Sequence, residues 1–328
     1  MLDQWSWSAD LGLIGLDWRL GLTVIAWPIA HVDRRQSLCN ESGQDAKAQP
    51  ATLFMHLPDL LTLPFAPPSL PRAEVLLMAE LDAGAPDLRR VDQLLASDPA
   101  LSLLILRQAN SKSYGLSGLI HSVSEALAVL SLRRVREIVL ENAGALSTFG
   151  QVPGLPLEQF WRYSVDCAKV ARSLAAFLRL NQQAAYTAGL VHGLGLLMMR
   201  KNMPQVLALD VQLPPMGLLR ARLERHSLGF CFSQVSGQLA RQAGLPGVIG
   251  DALDYQHEPF DNEAYEPLAG VLNLAVWRAR TLQAGLKGNH LTVTFPSEVA
   301  EVLGLDIDMV LQQDPIDWSA QNTGFGRL

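Results

Sequence analysis

Apolar residues recur at helical spacing along most of this chain, and this periodicity constrains the fold more than any other feature. The clearest example is 158–180, where apolar residues follow one another in steps of three and four and charged residues lie between them. Strand-like sequence is confined to 22–27 and 291–295, which are rich in β-branched residues. We therefore predict an all-α, multi-helix domain with little or no sheet.

Several sequence signals predict where helices begin. Asp98 precedes Pro99, a pair that suits a helix start because aspartate caps free amides and proline needs no donor in the first turn. Ser122 and Glu125 have the spacing of a capping box. A last helix is predicted to begin at 296–297, and Asp306 is interpreted as a helix N-cap.

The distribution of polar residues, prolines and glycines suggests the domain organisation. Segment 36–50 is polar throughout and predicts a linker, so that 1–50 form an N-terminal extension and linker. Five prolines between 58 and 71 predict a non-helical segment on the surface. The helical domain is predicted over 51–315, with halves at about 71–150 and 157–285 separated by a proline-containing and glycine-containing turn, and 316–328 form a tail.

Charge and cysteine content exclude some classes of function. The chain has 26 Lys and Arg against 32 Asp and Glu, a net charge of −6, so no bulk positive charge is present to bind nucleic acid. Its cysteines are few, widely spaced and without a CxxC pair, which argues against both a disulfide framework and a thiolate zinc site. A reducing cytoplasm is the expected location.

Segment 11–30 is the only one apolar enough to suggest a membrane span. It contains Asp17, Arg19 and Pro28, and a charge in the middle of a bilayer costs about 2.5–3.5 kcal/mol on insertion scales. Acidic residues rather than basic ones precede it, which is unlike a secretory signal. We expect no stable membrane span.

Segment 189–195 has the glycine content of a phosphate loop. It matches neither dinucleotide-binding nor P-loop spacing and contains no lysine, so we interpret its glycines as a close contact between helices. His192 lies inside this most apolar stretch of the chain, where a polar group needs a partner. A hydrogen-bonded core histidine is the simplest interpretation.

Taken together, several segments resemble the HDOD family, the HD-related output domains of bacterial signalling proteins. They cover about 58–315 in the order and approximate spacing of that family, and include 97–101, 106–111, 130–135, 160–164, 188–195, 255–259 and 272–275. HDOD domains are similar to HD phosphohydrolases, in which histidines and aspartates hold one or two metal ions that activate a water. The resemblance therefore implies a helical HD-like fold.

Transferred position by position, that resemblance implies a degenerate metal site. The six vestigial positions are Tyr163, His192, Gly193, Phe232, His257 and Val276. Only the two histidines keep a ligand type, and both carboxylate positions have become Gly193 and Val276. Two neutral imidazoles cannot assemble a charged two-metal clamp, and we expect Tyr163 and Phe232 to fill the cavity with aromatic rings. No metal and no cofactor are predicted.

The resemblance thus favours a non-catalytic regulatory module that binds a signalling protein or a small ligand. Two alternatives stay open: a metal-dependent phosphohydrolase that recruits unmatched ligands such as Asp166, His226 or Asp254, and a nucleotide sensor. The identity of the partner and the oligomeric state are left open by the sequence.

We expect the functional surface at the joint between the helical halves rather than in the former metal site. A candidate interaction loop there comprises Asn110, Ser111, Lys112, Tyr114 and Gly115. Gly115 is expected to permit a turn, and the polar residues have no evident role in a core. A helix-capping turn explains the same residues equally well.

Overall fold

The computed structural model describes residues 55–146 and 152–312. These residues form helices, turns and loops without any strand, which confirms the predicted all-α class. The helices are α1 (Leu57–Thr62), α2 (Pro71–Leu81), α3 (Leu88–Ala96), α4 (Pro99–Ala109), α5 (Val123–Val129), α6 (Leu132–Leu146), α7 (Leu157–Phe177), α8 (Gln182–Val191), α9 (Leu194–Asn202), α10 (Pro204–Ala208), α11 (Arg220–Leu228), α12 (Phe232–Gln242), α13 (Gly247–Asp254), α14 (Pro267–Gln283), α15 (Asn289–Thr294), α16 (Ser297–Val302) and α17 (Ile307–Gln312).

The N-terminal half is organised around helix starts that the sequence predicted. Asp98 caps α4 by accepting hydrogen bonds from the backbone amides of Ala100 (2.8 Å) and Leu101 (3.0 Å). Its second oxygen accepts from the Ser69 hydroxyl (2.8 Å) and the Leu70 amide (3.1 Å), so this fully buried carboxyl also holds the segment before α2. Burial raises the pKa of Asp98, and these hydrogen bonds oppose the rise.

The predicted capping box at the start of α5 is half formed. The Ser122 hydroxyl accepts from the Glu125 amide at 3.2 Å, as a cap requires. In a complete capping box the Glu125 carboxylate would accept from the Ser122 amide. Here it accepts from the amide of the preceding residue, His121, at 2.6 Å. The helix nevertheless begins where the sequence predicted.

The C-terminal half has α7 at its centre, packed against α8 and α14, while α12 lies against α9 and α13. Glycines bring these helices together, as predicted. A Cβ added to Gly189 would lie 2.6 Å from the Ala168 Cα, so α8 and α7 touch backbone to backbone. The amide of Gly195 donates to the Ser236 hydroxyl at 2.9 Å, which ties α9 to α12.

Helix α4 packs against both α7 and α8 and so connects the two halves. One buried apolar cluster includes residues of both halves. Asp306, as predicted, caps the last helix by accepting from the Met309 amide at 2.7 Å.

Two local predictions were wrong. Segment 291–295 is not a strand: its first four residues belong to α15, which Trp277 of α14 holds in place. The indole donates to the Thr294 hydroxyl (3.1 Å) and its ring contacts Phe295, so tertiary packing overrides local β propensity. The proline-rich segment is not simply a surface segment either, because Pro67 and Pro68 are buried and residues 57–62 form α1.

Helix α16 begins at Ser297 as predicted, but α17 follows it and is the last described helix. None of the described helices is long and apolar enough to cross a bilayer. The predicted extension and linker at 1–50, the 22–27 strand and the tail at 316–328 lie outside the described residues. The proposed domain boundaries therefore stay a prediction.

Candidate functional site

The six positions that the sequence analysis singled out converge on the interior of the C-terminal half. Tyr163 lies on α7, His192 and Gly193 at the junction of α8 and α9, and Phe232 at the start of α12. His257 follows α13, and Val276 lies on α14. We call the space that these residues surround the pit.

Aromatic rings fill the pit in two edge-to-face pairs. The Tyr163 and His192 rings have centroids 5.0 Å apart with an interplanar angle of 73°. The Phe232 and His257 rings are 5.2 Å apart at 76°. Both arrangements are favourable for aromatic rings, and the four rings lie in the space between these helices.

A buried guanidinium adds a positive charge to these rings. Arg280 lies on α14 four residues after Val276, and therefore on the same helix face. It is only 6% exposed, its Nε donates to the Tyr163 hydroxyl at 2.9 Å, and its Cζ lies 5.4 Å from the centre of the Tyr163 ring. One of its terminal nitrogens, Nη1, is buried without a hydrogen-bond partner among the described residues.

Both histidines of the pit are held in the neutral form. The pKa of His192 is lowered to about 3, mainly by burial; the hydrogen bond to the Gly189 carbonyl opposes this change, and the Arg280 charge adds to it. Burial followed by the charge of Arg280 likewise lowers the pKa of His257 to about 3. Because the His192 Nδ1 lies 2.7 Å from that carbonyl, the proton belongs on Nδ1. His192 is thus the hydrogen-bonded core histidine that the sequence predicted.

Phe160 occupies the space beside Gly193. A Cβ added to Gly193 would lie 2.5 Å from the Phe160 Cζ, closer than real carbon contacts allow. Phe160 is itself 1% exposed, so its ring lies among other buried side chains. Any larger residue at 193, a carboxylate included, therefore requires this ring to move.

A second concave site lies between the two halves, and we call it the joint groove. It encloses about 380 Å³ between α3, α4 and α5 on one side and α7 and α8 on the other. Its basic lining residues are Arg90, Arg162, Lys169 and Arg172, and its acidic ones are Asp92 and Asp166. This is the location where the sequence analysis placed the functional surface.

A model of the HDOD domain matches residues 68–259, which is more than half of the chain. The chain belongs to the HDOD family.

Solved structures share the fold of this HDOD chain. The MmoQ response regulator from Methylococcus capsulatus str. Bath is 22% identical, with a TM-score of 0.59 over 76% of this chain and 98% of that one. A virulence factor from Campylobacter jejuni is 19% identical, with a TM-score of 0.57 over 80% and 95%. A search of the curated proteins found no match.

The pit of this HDOD chain does not fit the metal ions that a resemblance to HD phosphohydrolases would imply. The two histidines have no carboxylate beside them at 193 or 276, and the guanidinium of Arg280 lies close enough to lower the pKa of both imidazoles. Within 55–146 and 152–312, no group of three or more His, Cys, Asp or Glu side chains could hold a metal ion.

The alternative ligands that the sequence left open have different surroundings. Asp166 lines the joint groove, His226 is exposed on α11, and the Asp254 carboxylate accepts from Arg241 Nη1 at 2.5 Å. Among the described residues, they do not form a group with the two pit histidines that could hold a metal ion.

The expectation that the polar residues of the 110–115 loop have no core role was wrong for Asn110. This side chain is 2% exposed and donates to the carbonyls of Leu106 (3.1 Å) and Ile120 (3.0 Å). It also accepts from the amides of Gly118 and Ile120, both at 3.1 Å. Asn110 therefore closes the loop, in agreement with the alternative of a capping turn.

The rest of that loop is distinct from the joint groove. Lys112 is exposed, and Gly115 has a positive φ of 67° that ends a short 3₁₀ turn, as expected for a glycine. Neither they nor Ser111 and Tyr114 line the groove. The proposed interaction role of these residues stays a prediction.

Sequence reasoning missed Arg280, Phe160 and most of the groove residues. A signal for Arg280 was present, since it is a single arginine on the same helix face as Val276. The groove had no comparable signal, because its walls come from helices that are distant in sequence.

Proposed function

We propose that this HDOD chain is a non-catalytic regulatory module of a bacterial signalling system, which acts by binding a protein partner or a small ligand. The observation that carries the proposal is the Arg280 guanidinium, buried in the pit and bonded to Tyr163. Hydrolysis of a phosphoester in the manner of HD enzymes needs divalent cations at this place.

A permanent positive charge opposes such cations. At an effective dielectric constant of about 20, a unit charge and a divalent ion about 5 Å apart repel each other by about 7 kcal/mol. Active sites overcome such repulsion with carboxylates, and the pit has glycine and valine at the two carboxylate positions. Removing Arg280 alone would therefore not restore a metal site.

The similarity to a protein described as a response regulator supports a signalling role, because the two share a fold over most of both chains. A binding role is also consistent with a well-packed pit, which keeps the helices rigid. The joint groove remains available as a surface for recognition.

Metal content and hydrolysis together test the proposal. The full chain, purified and then incubated with Mn²⁺, Fe²⁺ or Zn²⁺, should retain less than stoichiometric metal by elemental analysis. It should also hydrolyse bis-p-nitrophenyl phosphate no faster than the His192→Ala/His257→Ala double variant does.

The double variant is the matched control, since it lacks both imidazoles of the pit. Stoichiometric metal that the double variant loses, or hydrolysis that it loses, would contradict the proposal and favour the phosphohydrolase alternative. Circular dichroism of both proteins confirms that the comparison is made between folded chains.

A further inference from the structure

The joint groove has the size and shape of a small-molecule site. Its volume of about 380 Å³ falls within the range of about 300–1,000 Å³ that is usual for ligand pockets. Its apolar lining comes from both halves and includes Leu94, Val123, Val165 and Leu190. A ligand bound there would contact both halves at once.

Positive charge is concentrated in this groove although the chain as a whole has a net charge of −6. Arg90 extends from α3, on one wall, while Arg162, Lys169 and Arg172 extend from α7, on the other. Four cations against two carboxylates leave the groove positive.

The cations of the groove outnumber its carboxylates. Arg162 forms a 3.4 Å ion pair with the exposed Glu158, and such a surface pair is weakened by water and salt. Of the acidic groups in the groove, Asp92 accepts from the Ser124 hydroxyl at 2.9 Å. Like charges that face each other raise the electrostatic free energy of the groove, and a bound anion would lower it.

One of the arginines is already oriented for binding. The Arg172 Cζ lies 5.2 Å from the centre of the Tyr186 ring, so the ring face restrains the guanidinium. The Tyr186 hydroxyl in turn donates to the Ala96 carbonyl at 3.0 Å, which fixes the ring between the halves. A restrained guanidinium loses less conformational freedom when its N–H groups bind an anion.

We infer that the joint groove binds a small phosphorylated ligand, with cations of α3 and α7 clamping its phosphate groups from opposite walls. A phosphate offers several strong acceptor oxygens and up to two negative charges, which suits several cations better than one carboxylate does. This inference rests on the proposed binding role and gives it a ligand class and a location. Because the ligand would contact both helical halves, its binding would stabilise one arrangement of the halves.

Calorimetric titration of the full chain with ADP and with pyrophosphate tests this inference, with adenosine and citrate as comparison ligands. ADP and pyrophosphate should bind, adenosine should not bind, and citrate should bind at least about tenfold more weakly than pyrophosphate. Lys169→Ala and Arg90→Ala should each weaken ADP binding about tenfold or more, since each removes a charged hydrogen-bond donor. Lys169→Arg should bind ADP within about threefold of the unaltered chain, because it keeps the charge.

Lys201→Ala is the matched control, since Lys201 is an exposed lysine on α9 outside the groove. Its ADP affinity should equal that of the unaltered chain. The inference is overturned if neither ADP nor pyrophosphate binds at millimolar concentration, if citrate binds as tightly as pyrophosphate, or if both groove variants keep full affinity. None of these results depends on metal content or hydrolysis, so a failure here is distinguishable from a failure of the non-catalytic proposal.

Discussion

The two buried histidines of the pit should make the stability of this protein depend steeply on pH in mildly acidic solution. Burial and the Arg280 charge lower the pKa of His192 and His257 from an ordinary value of 6.5 to about 3. Between these values both rings are neutral in the folded chain and protonated in the unfolded chain. The unfolded chain binds more protons, so stability is lost as pH falls through 6.5.

The magnitude follows from the two pKa values. Each histidine that takes up a proton on unfolding contributes a slope of about 1.4 kcal/mol per pH unit. Between pH 6 and pH 5 the protonated fraction of each unfolded histidine rises from about three quarters to nearly one, so each should contribute about 1.2 kcal/mol. The two histidines together should therefore lower the free energy of unfolding by about 2.4 kcal/mol over this interval.

Urea unfolding followed by circular dichroism at pH 6.0 and 5.0, at constant ionic strength, measures this change. His257→Leu provides the decisive comparison, because the His257 Nε2 has no hydrogen-bond partner among the described residues. Removing this nitrogen therefore leaves no former partner unpaired. The variant should lose about half of the pit's contribution, so that the change between the two pH values shrinks by about 1.2 kcal/mol.

Only the difference between two pH values is compared, so any constant effect of the leucine on packing cancels. An unchanged pH dependence in His257→Leu would refute the reasoning, since it would mean that this imidazole titrates alike in the folded and unfolded chains.

Two further predictions concern packing and loop closure, and urea unfolding measures both. Gly193→Ala should destabilise the chain by about 1–3 kcal/mol, because its methyl group would collide with the Phe160 ring, and Phe160→Leu in the same chain should recover part of the loss. Gly247→Ala is the control, since nothing lies within 4 Å of its added Cβ, and an equal loss there would contradict the collision. Asn110→Ala should cost about 2–4 kcal/mol, because it leaves buried backbone groups unpaired, whereas the exposed Lys112→Ala should stay within about 0.5 kcal/mol. A change at Asn110 as small as that at Lys112 would show that the loop closes without it.

Much of the fold was predictable because its signals are local. The steps of three and four in 158–180 predicted the helix that forms as α7, although that helix ends at Phe177, three residues before the predicted end. The caps at Asp98 and Ser122 were also predictable, since an N-cap and the amides it satisfies lie within three residues of each other.

The pit was predictable in part and for a different reason. The resemblance to HDOD domains identified His192 and His257, and the contacts of their rings with Tyr163 and Phe232 agree with the expected aromatic filling. The presence of Arg280 in the pit could not be inferred in this way, because no ligand position of the family corresponds to it.

By itself the sequence determined that this protein is built of helices, where several of them begin, and which residue types stand at the former ligand positions. Only the tertiary structure decided that Arg280 enters the pit to meet Tyr163, 117 residues earlier in the chain, and that cations from α3 and α7 face one groove. The physical reason is that helix formation depends on residues a turn apart. Which residues a side chain contacts in the core depends on how helices that are distant in sequence pack together.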